Sequence, residues 1–167
     1  EGAYCHPEHN VQYGKTYGAL YNYDAVTDSR NIAPVGWHVP TDGEWKELEM
    51  YLGMSKSDSD RIGYGRGTNE GSKLAGNAKL WIEEFGETGS LESNSEFGSS
   101  GFSAVPGGGR LSINGALHGM GYYAYFWSAT QSNSDVWGRR VHYGVSEFLR
   151  EDYYNWRDGC NVRLVKD

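Results

Sequence analysis

The stretch from Gly121 to Asp158, GYYAYFWSATQSNSDVWGRRVHYGVSEFLREDYYNWRD, constrains this chain more than any other. It holds Tyr122, Tyr123, Tyr125, Phe126, Trp127, Trp137, Tyr143, Phe148, Tyr153, Tyr154 and Trp156. These are eleven of the chain's 24 aromatic residues, so both the core and any aromatic surface must draw heavily on it. The first part, 122–127, is so continuously apolar that burial in a β-core is expected. The second part alternates. Trp137, Arg139, Val141 and Tyr143 share one face of a strand, and Gly138, Arg140, His142 and Gly144 share the other. The first set is therefore expected to meet the core and the second to meet solvent. The alternation loses phase at residues 144–146, which reads as a turn, and residues 148–154 are expected to pair back as a second strand. From Gly138 onward, rigid aromatics are interleaved with Arg140, His142, Arg150, Asp152, Asn155, Arg157 and Asp158, which is the chemistry of a recognition surface.

A chain of 167 residues fits one domain, 1–167, and is long enough to bury a core. Its 24 glycines point to many turns around a core of a few large side chains. A net charge of −7 argues against nucleic acid and anionic membranes as partners, because both are bound through a basic footprint. No segment approaches a membrane span, and the chain opens at Glu1 without a charged-then-apolar leader, so it reads as a mature or excised form with no direct membrane insertion. Cys5 and Cys160 either form one disulfide or remain two thiols.

Along the chain, the alternation of Tyr17, Ala19, Tyr21 and Tyr23 predicts a strand within 13–24. The clearest local signal is Thr41 followed by Glu44, a capping box that starts a helix over about 42–52 with Trp45, Leu48 and Leu52 as its apolar stripe and Gly53 at its end. Residues 55–66 read as a polar surface loop, 72–75 as a short helix and 86–100 as a long irregular connection. Residues 101–106 return to the core, and 111–117 suit a hairpin about Asn114-Gly115. Towards the end, Cys160, Val162 and Leu164 are expected to point inward, and Asn161, Arg163 and Lys166 outward. Gly107-Gly108-Gly109 lacks the lysine and following helix of a phosphate loop.

Signatures of catalysis are weak. Cys5, His6 and His9 match no zinc spacing, and Asp58, Asp60 and Glu70 read as solvated carboxylates rather than a calcium site. Glu83-Glu84 and Glu151-Asp152 are sequence neighbours without the spacing of an acid/base pair. His38 beside Trp37 reads as a hydrogen-bonded structural histidine, and no Ser/His/Asp signature is visible. No catalytic residue, metal or cofactor is expected.

Five segments in order, Tyr17-Gly18-Ala19-Leu20-Tyr21-Asn22, Gly36-Trp37-His38-Val39-Pro40-Thr41, Gly101-Phe102-Ser103-Ala104-Val105-Pro106-Gly107-Gly108, Tyr125-Phe126-Trp127-Ser128-Ala129-Thr130 and Asn161-Val162-Arg163, resemble the Fibrobacter succinogenes major paralogous domain family over nearly the whole chain. The resemblance implies an α+β, C-type-lectin-like fold with small antiparallel sheets, few helices and long loops, related to the sulfatase-modifying group, in secreted or surface proteins of Bacteroidetes and Fibrobacter. The family commonly has cysteine where this chain has Ala33 and Leu164. A Cys5–Cys160 bridge is not implied, and Cys160 alone does not supply the cysteines of the related oxidative enzymes. Glu-Pro-Asn, Gln-Pro-Asp and Trp-Asn-Asp, the calcium and sugar motifs of true C-type lectins, do not occur.

Domains of this family also serve as variable proteins of diversity-generating retroelements. In that light the block 137–159 is the variable, ligand-binding part, with Trp137, Arg139, Val141, Tyr143, Val162 and Arg163 as its fixed frame. The expected site is Gly138, Arg140, His142, Gly144, Asp152, Tyr153, Tyr154, Asn155, Trp156, Arg157 and Asp158, presented to a protein or glycan on another cell or particle by a secreted, surface or phage-borne display domain that is not an enzyme. A carbohydrate-active or sulfatase-modifying-like enzyme and a structural surface-lipoprotein module are the alternatives.

Overall fold

In the computed structural model, residues 1–82, 90–133 and 135–167 are described, without the side chains of Ser90, Tyr153 and Tyr154. The elements run β1 (Tyr4–Cys5), α1 (Val11–Tyr17), β2 (Leu20–Tyr21), α2 (Tyr23–Val26), β3 (Trp37–His38), α3 (Asp42–Tyr51), α4 (Lys56–Ser59), α5 (Glu70–Leu74), α6 (Ser90–Ser93), β4 (Gly109–Arg110), β5 (Leu117–His118), β6 (Tyr123–Gln131), β7 (Val136–His142), β8 (Phe148–Tyr154) and β9 (Val165–Lys166). All strand pairings among these elements are antiparallel: β1 with β2, β3 with β9, β4 with β5, and a three-stranded sheet in the order β6-β7-β8. The architecture is α+β with small antiparallel sheets, as expected.

The capping box forms as the sequence predicts. Glu44 N–H donates to Thr41 Oγ1 at 3.3 Å, while Glu44 Oε2 accepts from Thr41 N–H at 2.8 Å, satisfying two amides of the first turn. Residues 13–24 do not form the expected strand. Asn10 accepts from Gln12 N–H and caps α1, and Tyr13 and Tyr17 stack edge to face at 6.1 Å along one helix side. Their spacing of four is helical, and it outweighs the spacing of two on which the strand expectation rested. Only Leu20–Tyr21 is extended. Asn22 then caps α2 through Ala25 N–H. The 72–75 helix is present as Glu70–Leu74, and the hairpin about Asn114-Gly115 is present as β4–β5, with Gly115 at φ +69°.

Two aromatic clusters pack on opposite faces of the main sheet. One holds Trp45, Leu74, Leu91, Ala104, Ala124, Phe126, Val141 and Phe148, and the other holds Tyr23, Val26, Val39, Tyr125, Trp127, Val136 and Cys160. Trp45 is the hub of the first, with ring centroids 5.8–6.0 Å from Phe102, Phe126 and Phe148. Residues 86–89 of the expected irregular connection lie outside the described residues; beyond them Leu91 is fully buried. Cys5 and Cys160 are both free thiols, and burial pushes the Cys160 thiol up.

Several side chains expected at the surface are inside. Arg66, at the end of the 55–66 loop, is fully buried: it donates to both oxygens of Glu49 and to the carbonyls of Ser59 and Phe148. Asn161 is 8% exposed because its amide donates to the carbonyls of Tyr17 and Ala19, and Arg163 lies over the Phe102 ring while donating to the carbonyls of Phe102 and Ser103. Asn161 and Arg163 satisfy carbonyls outside the sheets, and that need overrides the strand alternation, whereas Arg66 is drawn inside by the buried Glu49 carboxylate.

Candidate ligand-binding site

The sheet register decides which side chains share a face. β7 sits in the centre, with Tyr123 opposite His142, Tyr125 opposite Arg140, Trp127 opposite Gly138, and, on the other side, Leu149 opposite Arg140 and Glu151 opposite Gly138. One face therefore carries Tyr123, Tyr125, Trp127, Arg140, His142, Leu149 and Glu151, and the other carries Ala124, Phe126, Arg139, Val141, Phe148 and Arg150. The second face packs on α3. Arg139 donates to Glu49 at 2.5 Å and to Asp42 at 2.9 Å, and Arg150 holds both oxygens of Asp42 at 2.8 Å. Burial opposes the Asp42 charge, but Arg150 and Arg139 outweigh it and hold its carboxyl well below the usual range.

The same ion network fixes a loop over the first face. Arg150 Nη1 donates to the Asp60 carbonyl, Gly63 N–H donates to the Arg150 carbonyl at 2.8 Å, and Gly65 N–H donates to Glu147 Oε2 at 2.8 Å. Gly63 and Gly65 are at φ +77° and +71°, a backbone region that favours glycine. Tyr64 between them is turned onto the sheet, where its hydroxyl accepts from Arg140 Nη2 at 3.2 Å. The guanidinium of Arg140 lies 5.2–6.0 Å from the rings of Tyr64, Tyr123 and Tyr125 and pairs with Glu151 at 2.6 Å. Arg140 is thus not free in solvent as the alternation implies. Gly138, expected outside, is buried at the Trp127 end of this face, which α2 and Cys160 cover.

His142 completes the cluster. It stacks on Tyr143 at 5.1 Å and meets Tyr123 at 4.9 Å and Tyr64 at 6.3 Å, and its Nδ1 accepts from Gly144 N–H at 2.8 Å. Accepting at Nδ1 leaves the proton on Nε2, which is then available as a donor. Burial, with the Arg140 charge, pushes the His142 pKa down. A cavity of about 230 Å³ opens beside Arg140, lined by Arg110, His118, Tyr125, Arg140, Glu151 and Asp158.

The structure gathers only some of the residues singled out by the sequence. Arg140 and Asp158 meet at the cavity, with His142 and Gly144 next to Arg140. Asp158 accepts from Ser112 N–H at 2.7 Å. Asn155 is exposed and accepts from Arg157 N–H, and Asp152 is half-buried. Trp156, 40% exposed, lies with its ring under the Arg157 guanidinium at 4.4 Å and lines a separate hollow with Tyr23, Asp24 and Gln131. The side chains of Tyr153 and Tyr154 lie outside the described residues. Tyr64, Tyr123, Tyr125, Arg110 and His118 belong to the face and were not singled out. A tyrosine between two glycines in an otherwise polar loop was the one local sign of Tyr64.

The model of the Fibrobacter succinogenes major domain family matches residues 1–166. The chain belongs to that family. No curated protein and no solved structure matches the chain. In this Fibrobacter succinogenes major domain, Asp60 is exposed as expected of a solvated carboxylate, whereas Glu70, expected to be solvated as well, is buried. Asp60 pairs with Lys46 and Lys56 at 2.9 and 2.7 Å, and buried Glu70 accepts from the amides of Thr68 and Asn69. No helix among the described residues is long and apolar enough to cross a membrane.

Two histidines are expected to bend the pH dependence of stability in opposite senses. His38 is clipped between Asp167 at 2.6 Å and Glu44 at 2.7 Å, and the hydrogen bonds to Asp167 and Glu44 raise its pKa. A raised folded pKa gives stability that is fully present below the unfolded value of about 6.5 and is lost as pH rises through the folded value. His142 has the opposite sign: with its folded pKa lowered, stability is lost as pH falls from about 6.5 toward that lower value. Thermal midpoints measured across this range are expected to fall on both sides. His38→Gln should flatten the alkaline limb and His142→Gln the part of the acid limb nearest neutrality. Unchanged limbs in both variants would contradict these assignments.

Proposed function

We propose that this domain is a non-enzymatic ligand-binding module of C-type-lectin-like fold, displayed as a secreted, surface or phage-borne protein, which meets a protein or glycan through the Tyr64–Arg140–His142 end of the β6-β7-β8 sheet. The observation that carries this reading is the Arg140 cluster. Rigid aromatic rings, a fixed guanidinium and a histidine donor stand on a sheet braced from behind by buried ion pairs, beside a cavity. Preorganised aromatic and arginine anchors of this kind dominate binding energy, because little side-chain entropy is lost when a partner docks.

The chemistry of the cavity favours binding over catalysis. Glu151 is engaged by Arg140, and the Cys160 thiol is pushed up by burial, so neither stands ready as a base or nucleophile at neutral pH. The division of labour within 137–159 also fits a diversified block. Arg139 and Val141 are fully buried frame, whereas Arg140, His142, Asn155, Trp156, Arg157 and Asp158 reach solvent or a cavity. In that reading the encoding locus carries a reverse transcriptase and a near-repeat of the 137–159 coding region.

The test is an array of glycans and surface proteins probed with the native domain and with a chain carrying Tyr64→Ala, His142→Ala and Trp156→Ala. Alanine at such anchors costs about 2 kcal/mol or more each in well-packed interfaces, so hits of the native domain should weaken by at least about tenfold. Hits that persist unchanged would place the site elsewhere.

A further inference from the structure

A second hollow, of about 240 Å³, opens beside the first and is lined by Tyr4, Cys5, His9, Asn22, Arg110 and Arg157. Arg110 and Gly159 line both hollows, so the two adjoin at Arg110. The cations here differ from the arginines of the ion pairs that brace the sheet. Arg66, Arg139, Arg140 and Arg150 each pair with a carboxylate. Arg110 instead donates from Nη1 to the His9 imidazole at 2.8 Å, and Arg157 lies over the Trp156 ring. Among the described residues, neither has a carboxylate oxygen within 4.0 Å. In a chain of net charge −7, acidic partners are in surplus, yet two guanidiniums share one hollow without one.

A guanidinium presents a planar fork of donors that matches a carboxylate or a sulfate. The adjoining hollow is of mixed polarity: Arg110 and Arg140 line it with Asp158, Glu151, His118 and the Tyr125 ring, and Arg140 is already paired with Glu151. An acidic peptide spanning both would bring a second carboxylate against Asp158. A hydroxyl-rich ring would donate to Asp158 and lay its apolar face near the tyrosine. We infer that the two hollows together bind an acidic saccharide, its carboxylate or sulfate group against Arg110 and Arg157 and its hydroxyls toward Asp158. This rests on the ligand-binding reading and narrows it to one ligand class.

The experiment titrates the native domain, by calorimetry at low and high salt, with uronate-containing oligosaccharides, sulfated oligosaccharides, their neutral counterparts and an acidic peptide. The expected result is binding of a uronate or a sulfated oligosaccharide that exceeds its neutral counterpart and weakens with salt, the better of the two arms naming the anionic group. Arg110→Gln with Arg157→Gln should weaken it about tenfold or more while the thermal midpoint stays that of the native chain, because each lost charge-assisted hydrogen bond contributes at about that scale. Equal binding of neutral and acidic saccharides, preference for the acidic peptide, absence of saccharide binding, or indifference to the double variant would each overturn the inference. Failure of the broader reading has another signature: array hits indifferent to Tyr64, His142 and Trp156, while an acidic saccharide still titrates the native chain and not the Arg110/Arg157 variant.

Discussion

Glu49→Ala is expected to lower stability by about 3–5 kcal/mol, the scale at which removing one member of a buried ion pair leaves its partners uncompensated. Glu49 is fully buried and serves two arginines, Arg66 at 2.5 Å and Arg139 at 2.5 Å, both themselves fully buried. Its loss strands two guanidiniums in a low-dielectric interior and cuts the link between α3, β7 and the loop that carries Tyr64. Because a domain of this kind has only about 5–15 kcal/mol in total, much of the native population should be lost on mild denaturation. Urea unfolding followed by circular dichroism checks this. A loss under about 1 kcal/mol would mean that solvent or a rearranged partner reaches the arginines, contrary to the network described.

Trp45→Ala is expected to be comparably severe, at about 3–5 kcal/mol with a fall in thermal midpoint on the order of 10 °C. The indole is 2% exposed, contacts the rings of Phe102, Phe126 and Phe148, and donates from Nε1 to the Trp127 carbonyl at 3.2 Å. Removing it opens a cavity at the junction of α3 and the sheet and leaves the Trp127 carbonyl without that donor. Trp45→Phe should recover part of the loss by refilling the space without restoring the hydrogen bond. If Trp45→Ala unfolds at the native midpoint, the first aromatic cluster is not the core of the fold.

The sequence showed most where the signal is local. The Thr41–Glu44 cap, the alternation of Arg139 and Val141 against Arg140 and His142, and the Asn114-Gly115 hairpin are each readable within a few residues, and each is present. The misreadings have two causes. The strand expected within 13–24 counted Tyr17, Ala19, Tyr21 and Tyr23 but not the Asn10 cap and the four-residue spacing of Tyr13 and Tyr17. Arg66, Asn161 and Arg163 look like surface residues until the carbonyls and carboxylates they serve are known. Those partners lie 7 to 144 residues away in the chain.

The site was legible as a region rather than as a constellation. Arg140, His142 and Asp158 could be singled out because they lie in one unusual stretch. Tyr64 comes from a loop and Arg110 from β4, and they join them only through the register of β7, the β4 pairing and the anchoring of the 63–65 turn on β8. Trp156 could not be assigned to its own hollow from spacing, since the turn after β8 carries it away from Arg140.

The central claim is that the Tyr64–Arg140–His142 end of the β6-β7-β8 sheet is where a partner docks, and amide hydrogen exchange on the domain bound to its strongest array hit tests it most directly. The account predicts slowed exchange at residues 62–66, 140–145 and 156–160, with no change on α3. Protection confined to α3, or to segments far from Tyr64 and Arg140, would contradict it.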